Sequence, residues 1–269
     1  MRFAKGHGSG NDFLILPDQD ATELTPGLVA RLCDRRFGLG ADGVLRVVRD
    51  GAAGWFMDYR NADGSVAEMC GNGIRVFAAY LLARGLADGP ALEIGTRAGP
   101  RQVRAGAGGA ITVDMGMPHR HGQATAVIGG RKLDGLHVSL GNPHLACLVD
   151  EPVAGLDLAG PPAVDPAAFP GGVNVEVARI LATGHIEMRV HERGSGATLS
   201  CGTGAVAAAV AARAAAGRAD SWDVDVPGGR LTVTLTGTTS LLTGPAVIVA
   251  EGELCADWLA GRPATAAAR

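Results

Sequence analysis

The sequence predicts an α+β protein of two pseudo-symmetric lobes, each a curled, mostly antiparallel, barrel-like sheet around a central helix. Three observations predict this class: motifs that recur at one constant spacing, two apolar helices of similar length, and many short strands that end at turn residues. Because equivalent parts of the two lobes would face each other, we expect the active site in the cleft between them.

The repeat is clearest at two cysteines. Cys70-Gly-Asn-Gly73 and Cys201-Gly-Thr-Gly204 stand 131 residues apart. The same separation relates two further pairs of landmarks, Gly10-Asn11 to Gly141-Asn142 and Asn61 to Glu192. Because one offset aligns several independent landmarks and is close to half the chain length, it indicates two homologous lobes related by a pseudo-twofold axis.

The offset divides the chain into an N-terminal lobe of residues 1–116, a C-terminal lobe of residues 117–254, and an exposed tail of residues 255–269. The proline-rich residues 151–172 are expected to form a long loop of the second lobe. At this point it stays open whether the last strand returns to the first lobe.

Each lobe carries one clear helix, predicted over residues 71–84 and 202–216, and a glycine follows each. Apart from Arg75 and Arg213 these helices are apolar on every side, so we expect both to be buried. The strands are predicted at residues 13–16, 43–48, 55–59, 92–96, 111–115, 137–140, 145–149, 173–178, 185–190, 222–226, 231–236 and 247–250.

Composition excludes several classes of function. In 269 residues, 47% are hydrophobic and 19% charged, which is enough to bury a core, and the net charge is −3. The chain has no basic stripe for nucleic acid or an anionic membrane, and no apolar stretch long enough to cross a bilayer. The start of the chain lacks the apolar segment of a signal peptide, so we expect a cytoplasmic protein.

Cofactor chemistry also finds little support in the sequence. The five cysteines are widely spaced and form no CxxC pair, which argues against a zinc site and a disulfide framework. A pyridoxal phosphate enzyme needs a lysine for its Schiff base, and neither Lys5 nor Lys132 lies in a convincing context for one. We therefore expect no metal and no organic cofactor.

Both repeated cysteines directly precede a helix. The N–H groups of a first helical turn carry partial positive charge, so we expect them to favour a thiolate and to bind a carboxylate. Across a pseudo-twofold cleft, one thiolate can remove an α-proton while the opposite thiol returns a proton to the other face. The pattern therefore favours a racemase that uses Cys70 and Cys201.

Other interpretations stay open. A single Cys-Gly-x-Gly motif would more often be an ordinary buried cysteine, and we keep that interpretation for Cys33, Cys147 and Cys255. The two repeated thiols could instead form a reversible disulfide in a redox protein. The chain could also bind amino acids without catalysis, or racemise another amino acid such as proline or hydroxyproline.

At these motifs the sequence resembles the diaminopimelate epimerase family, within the superfamily that includes proline racemases and a phenazine-pathway isomerase. The resemblance reaches to about Leu254. The segments that carry it are Gly8-Ser-Gly-Asn-Asp-Phe13, Arg36-Phe-Gly-Leu-Gly-Ala-Asp42, Asn61-Ala-Asp-Gly-Ser65, Met69-Cys-Gly-Asn-Gly73, Gly141-Asn-Pro-His144, Val173-Asn-Val175, Glu192-Arg-Gly-Ser-Gly196 and Ser200-Cys-Gly-Thr-Gly204.

The resemblance implies a cofactor-independent isomerase that interconverts LL- and meso-2,6-diaminopimelate in lysine and peptidoglycan precursor biosynthesis, with Cys70 and Cys201 as acid and base. It implies that His144 and Glu192 adjust the protonation of the thiols. The implied substrate-binding residues are Asn11, Asn61, Gly71, Asn72, Asn142, Asn174, Glu192, Arg193, Gly202 and Thr203. The expected partner is the small amino-acid substrate, and a homodimer is left open.

Single residues of this set also have simpler interpretations. Asparagines such as Asn11 and Asn61 are frequent in turns, His144 could be a core histidine, and Arg193 a surface charge. The chain departs from the family at Gly43, where some members have a glutamine that contacts substrate, so another group must replace that contact.

Overall fold

The structure is a computed structural model that describes residues 1–17, 23–51, 54–217 and 219–261. The last eight residues of the expected tail, 262–269, therefore lie outside the described residues. Four α-helices are described: α1 (Pro26–Cys33), α2 (Gly71–Ala83), α3 (Gly202–Ala216) and α4 (Ala256–Leu259).

The strands separate into two series along the chain. The first series is β1 (Arg2–Gly8), β2 (Asn11–Pro17), β3 (Gly43–Asp50), β4 (Gly54–Asn61), β5 (Ala91–Gly95), β6 (Arg101–Ala105) and β7 (Ala110–Gly116). The second is β8 (His119–Ile128), β9 (Arg131–Ser139), β10 (Pro143–Leu148), β11 (Ala163–Val164), β12 (Asn174–Ala182), β13 (His185–Glu192), β14 (Gly196–Thr198), β15 (Ser221–Val226), β16 (Gly229–Leu235), β17 (Ser240–Pro245) and β18 (Val247–Glu253).

Strand pairing joins both series into one continuous sheet. Its order is β18-β1-β2-β3-β4-β5-β6-β7 in the first lobe and then β17-β16-β15-β13-β12-β10-β9-β8-β11 in the second. Most pairs are antiparallel, and the parallel pairs, β2–β3 and β4–β5, recur in the second lobe as β10–β12 and β13–β15. The predicted α+β class is confirmed.

The pseudo-twofold axis passes between β7 and β17, the two strands that join the lobes. Thr112 pairs with Thr243 in their antiparallel register, and their hydroxyl oxygens lie 2.8 Å apart. These two threonines are separated by 131 residues, the offset of the repeat. The axis therefore relates Thr112 to the residue that the repeat offset predicts.

The lobes exchange their final strands across this axis. β8 follows β7 in the chain but pairs with β9 in the second lobe. β18 follows β17 but pairs with β1 in the first lobe. Each lobe thus contains a strand from the other half of the chain. The hydrogen bonds of these strands hold the two halves together.

The two long helices fill the concave sides of the sheet. α2 contacts β1, β2, β7 and β18, and α3 contacts β9, β10, β12 and β13. Ten residues of each helix are buried, in agreement with the prediction that both helices lie in the core. At about 25 cal/mol per Å² of buried apolar surface, this arrangement is the main source of stability in each lobe.

Several elements were not part of the sequence prediction. β1, β6, β8 and β17 and the short helix α1 carry weak or interrupted apolar alternation, and non-local pairing decides their structure. Residues 151–172 contain a short 3₁₀ helix (Val153–Gly155) and β11 within the expected loop.

Beyond β18, Trp258 of α4 donates from its indole nitrogen to the carbonyl of Phe37 at 3.0 Å. Within the described part of the chain, no helix is long and apolar enough to cross a membrane.

Gly228 offers a test of the packing between the lobes. It lies in the β15–β16 turn against the β1–β2 turn, and an added Cβ would lie 1.7 Å from the carbonyl oxygen of Ser9. We predict that Gly228→Ala lowers the free energy of unfolding by roughly 1–3 kcal/mol, because the backbone must shift. The measurement is denaturant unfolding.

Gly27→Ala is the matched control, because a Cβ at this helical glycine meets no atom within 4 Å. It should leave stability unchanged or raise it by up to about 1 kcal/mol. Equal stabilities of the Gly228 and Gly27 variants would contradict the described contact between the two turns.

Candidate active site

The first turns of α2 and α3 meet at the pseudo-twofold axis. A Cβ built on Gly202 would lie 3.2 Å from the Cα of Gly71 and 2.9 Å from the side chain of Leu242. A Cβ on Gly71 would lie 2.9 Å from the side chain of Met115. Glycine is therefore needed at both positions for the two helix ends to approach each other this closely.

Cys70 and Cys201 cap these two helices in the same way. Each has extended backbone, and each sulfur accepts a hydrogen bond at 3.4 Å from the N–H three residues on, Gly73 for Cys70 and Gly204 for Cys201. Both are free cysteines. The structure thus places the two predicted thiols on equivalent helix tips that touch each other.

The protonation of the thiols differs from the sequence expectation. Burial raises the pKa of the Cys70 thiol to about 11, although the N–H groups of Gly73 and Asn72 act in the opposite direction. Burial also raises the pKa of Cys201 well above its usual range, and the carboxyl group of Glu192 adds to this effect. The helix N–H groups act in the expected direction and favour the thiolates, but desolvation outweighs them, so the net pKa shift of both thiols is upward.

Glu192, at the end of β13, is the acidic group next to Cys201. Its carboxyl group accepts a hydrogen bond from the Thr198 hydroxyl. Burial raises the pKa of Glu192, and the neighbouring Thr198 hydroxyl and Cys201 thiol act in the opposite direction. Thr203 lies on the other side of the same sulfur, with its hydroxyl 3.5 Å away.

A buried ionisable pair lies beneath the first turn of α3. His144 Nδ1 and Glu176 Oε1 are 2.8 Å apart, and both side chains have zero exposure. A Cβ on Gly204 would lie 2.5 Å from Glu176 Oε1, so this glycine makes room for the carboxyl group. Burial raises the pKa of Glu176, and the neighbouring His144 opposes the rise. His144 Nε2 and Glu176 Oε2 have no hydrogen-bond partner among the residues described.

Two amide contacts repeat the pseudo-symmetry beside the thiols. Asn72 Nδ2 donates to Asn11 Oδ1 at 3.4 Å, and Asn142 Nδ2 donates to the Thr203 hydroxyl at the same distance. The Cys70 thiol points to the same Asn11 oxygen at 3.7 Å. Asn11 and Asn72 are therefore brought to one thiol, and Asn142 and Thr203 to the other.

Asn61, Asn174 and Arg193 lie farther along the strand ends. Asn61 donates to the Ser65 hydroxyl at 3.0 Å within a turn. Asn174 donates to the Pro143 carbonyl at 2.9 Å and accepts from the Arg193 backbone N–H at 3.0 Å. The exposed guanidinium of Arg193 donates one N–H group to the Gly171 carbonyl at 3.1 Å.

The sequence analysis missed three residues near the thiols. Asp42 accepts from Asn11 Nδ2 at 2.7 Å and so orients that amide. The Tyr59 ring fills the space next to Gly43, where a Cβ would lie 2.8 Å from Cε2, and burial raises the pKa of its phenol. Glu176 was signalled in the sequence only as one acidic residue in an otherwise apolar strand.

The described His, Cys, Asp and Glu side chains form no group of three or more that could hold a metal ion. The site brings together two thiols, a neighbouring carboxyl group and helix N–H donors. Such donors stabilise negative charge that develops on a bound carboxylate.

Comparisons with known proteins identify the family and the fold of the chain. The chain matches the family described as Diaminopimelate epimerase over residues 3–121 and 136–249. It is 53% identical to a diaminopimelate epimerase from Mycolicibacterium smegmatis, with 96% of this chain and 98% of the relative covered. A diaminopimelate epimerase from Thermobifida fusca is 55% identical, with 94% and 98% covered. A solved PhzF-family phenazine biosynthesis protein from Bacillus anthracis shares the fold at a TM-score of 0.70 and 18% identity, covering 95% and 99%.

The buried carboxyl group of Glu192 predicts a pH-dependent cost to folding. A carboxyl whose pKa is raised by folding opposes folding as pH rises from its usual value of 4.5 through the raised value. We predict that Glu192→Gln raises the free energy of unfolding at pH 7 by roughly 1 kcal/mol and leaves it unchanged below about pH 4. The measurement is denaturant unfolding at both pH values.

The control is Glu93→Gln, which replaces an exposed carboxyl group on β5 that bonds Gln102. The effect of Glu93→Gln on the free energy of unfolding should be about the same at both pH values. A Glu192→Gln variant that is less stable than the wild type at pH 7 would show that the ionised carboxylate supports the fold instead of opposing it.

Proposed function

We propose, since the chain belongs to the diaminopimelate epimerase family, that it interconverts LL- and meso-2,6-diaminopimelate by moving a proton between the two faces of one α-carbon. The observation that carries this proposal is the pair of equivalent thiols on two helix tips that meet at the pseudo-twofold axis. A symmetric pair of acid–base groups suits a reaction whose substrate and product differ only in which face holds the proton.

The proton transfer requires the two thiols in different protonation states. One thiolate removes the α-proton, and the electron pair of the C–H bond moves toward the α-carboxylate. The opposite thiol donates its proton to the other face, so the number of protons on the enzyme is unchanged and the two sulfurs exchange roles. Turnover in the same direction then requires a proton to leave one thiol and another to reach its partner.

The helix ends supply the stabilisation that an amino acid without an electron sink needs. The first-turn N–H groups of α2 and α3, at Gly71, Asn72, Gly202 and Thr203, have no acceptor within their own helices. A carboxylate placed at the axis would accept hydrogen bonds from both helices. Negative charge that moves onto this carboxylate during deprotonation would strengthen these bonds, which lowers the barrier.

Glu192 and His144 are proposed to adjust the protonation of the thiols. Support comes from the pKa of Cys201, which burial raises and the negative charges of the Glu192 and Glu176 carboxyl groups raise further. His144 lies at the buried Glu176 carboxyl and lowers the pKa of both glutamates through its charge. The Cys201 side of the site is therefore the side on which the carboxyl groups help the thiol to keep its proton.

The remaining polar residues are proposed to bind the amino and carboxylate groups of the substrate, including the distal ones. Asn11 and Asn142 lie beside the thiols, and Asn61, Asn174 and Glu192 follow at strand ends. Arg193 offers a planar guanidinium that suits a distal carboxylate. With Gly43 in place of a side chain, the Tyr59 ring occupies the adjacent space, so another polar group must supply the missing contact.

The proposed setting is lysine and peptidoglycan precursor biosynthesis in the cytoplasm. The proposal needs no nucleic acid, membrane, metal or organic cofactor, and its partner is the amino-acid substrate. It leaves open whether two copies of the chain associate.

Exchange of the substrate α-hydrogen in deuterated water tests the proposal. We expect wild-type protein to incorporate deuterium into diaminopimelate and to form both stereoisomers. Cys70→Ala and Cys201→Ala each remove one acid–base group, so epimerisation should fall by roughly 100- to 10,000-fold in each. The measurement combines mass spectrometry of the substrate with separation of the stereoisomers.

Cys147→Ala is the matched control, because Cys147 is a buried free cysteine on β10 without a repeat partner. It should retain near wild-type exchange. Wild-type rates in either Cys70→Ala or Cys201→Ala would overturn the mechanism. Exchange with proline or hydroxyproline but none with diaminopimelate would overturn the substrate assignment instead.

A further inference from the structure

Arg75 is a buried cation on the α2 helix, close to the proposed site. Its side chain has zero exposure, and it lies one turn beyond Cys70 on the same helix. Its guanidinium donates to the Asn72 side-chain oxygen at 2.8 Å and to the Gly71 carbonyl at 3.0 Å. Longer hydrogen bonds of 3.4 Å reach the Ser9 hydroxyl and the Pro245 carbonyl.

The surroundings are shaped to hold this side chain. A Cβ on Gly8 would lie 3.1 Å from Nη2, and a Cβ on Gly244 would lie 3.2 Å from Nε. The guanidinium thereby connects three segments: the β1–β2 turn, the start of α2, and the corner between β17 and β18. All three segments reach the lobe boundary, so Arg75 belongs to the framework that positions the helix tip.

The cation has no carboxylate partner. Within the described chain, the four hydrogen-bond acceptors of Arg75 are neutral oxygens, and its guanidinium forms no ion pair. Burial of an unpaired cation is costly, so such a residue calls for an anion that forms during function. Burial lowers the pKa of Arg75 to about 10, and a negative charge on Cys70 would oppose this shift by favouring the charged guanidinium.

The second lobe has no equivalent cation. The repeat offset places Val206 at the position of Arg75, and Val206 is fully buried on α3. The ionisable groups next to Cys201 are instead the two carboxyl groups of Glu192 and Glu176. The two thiols therefore have equivalent backbone positions but different charged neighbours, because the Arg75 cation opposes the Glu192 carboxyl at Cys70, whereas only carboxyl groups act on Cys201.

We propose that Arg75 is a positioning residue that makes the two thiols unequal, by favouring negative charge on Cys70 and by holding the Asn72 amide at the helix tip. This inference rests on the proposed function, in which one sulfur must be a thiolate while the other keeps its proton. The charged groups that face Cys70 are the Arg75 cation from α2 and the Glu192 carboxyl from β13, which oppose each other. Cys201 has only the acidic neighbours, so Cys70 is the thiol that ionises first.

The test measures the alkylation of each cysteine by iodoacetamide as a function of pH, with peptide mass spectrometry to resolve Cys70 from Cys201. Only thiolates react, so each rate–pH curve reports one apparent pKa independently of accessibility and of epimerase activity. In the wild type, Cys70 should show the lower apparent pKa. A lower value for Cys201 would overturn the proposal without any variant.

Arg75→Gln removes the charge and keeps a hydrogen-bond donor. We expect the alkylation of Cys70 to fall about tenfold at a fixed pH below its pKa, which equals a rise of one pKa unit, while Cys201 stays unchanged. Arg75→Lys retains a cation, so the alkylation rate of Cys70 should stay within about threefold of the wild-type rate. Arg213→Gln is the matched control, because Arg213 lies on α3 and bonds the Leu235 carbonyl away from the thiols.

If Arg75→Gln and Arg75→Lys lower the alkylation rate of Cys70 equally, the charge of Arg75 has no role and only its packing matters. Equal losses at both cysteines would overturn the asymmetry. If Arg75→Gln does not fold, the apparent pKa values of Cys70 and Cys201 in the wild type and the alkylation rates in Arg75→Lys still test the proposal. Because alkylation does not depend on the substrate, failure of this inference is distinguishable from failure of the proposed epimerase activity.

Discussion

The contact between the first turns of α2 and α3 is the constraint on which the rest of the structure depends. Gly71 and Gly202 allow these turns to touch at the pseudo-twofold axis, and any side chain there would separate them. The paired β7 and β17 and the exchanged β8 and β18 hold the lobes in the register that keeps the helix tips together. The architecture thus brings two equivalent sets of N–H donors and two thiols to one place.

The repeated lobes give the two cysteines equivalent backbone surroundings, and sequence differences between the lobes give them different neighbouring side chains. The backbone around Cys70 and Cys201 is equivalent, with the same cap and the same N–H contact. The side chains around them have diverged, so that a buried cation lies near one thiol and buried carboxyl groups near the other. A reaction that runs in both directions needs two faces, but each turnover needs one proton donor and one acceptor.

The sequence predicted the parts of this molecule that depend on local signals and on the repeat. Both central helices begin at the glycine after each cysteine, because capping and apolar periodicity are local properties. The sequence left open whether β18 returns to the first lobe, since pairing partners far apart in the chain are chosen by tertiary packing. The raised pKa values of the thiols were also missed, because the depth of burial is a property of the folded state.

A crystal structure with an aziridine analogue of diaminopimelate bound through one cysteine would test the central claim most directly. The account predicts that the α-carboxylate accepts hydrogen bonds from first-turn N–H groups of both α2 and α3. It also predicts that the second sulfur lies about 3.5 Å from the α-carbon, on the face opposite the first. A carboxylate held by one helix alone, or two sulfurs on the same face of the α-carbon, would contradict it.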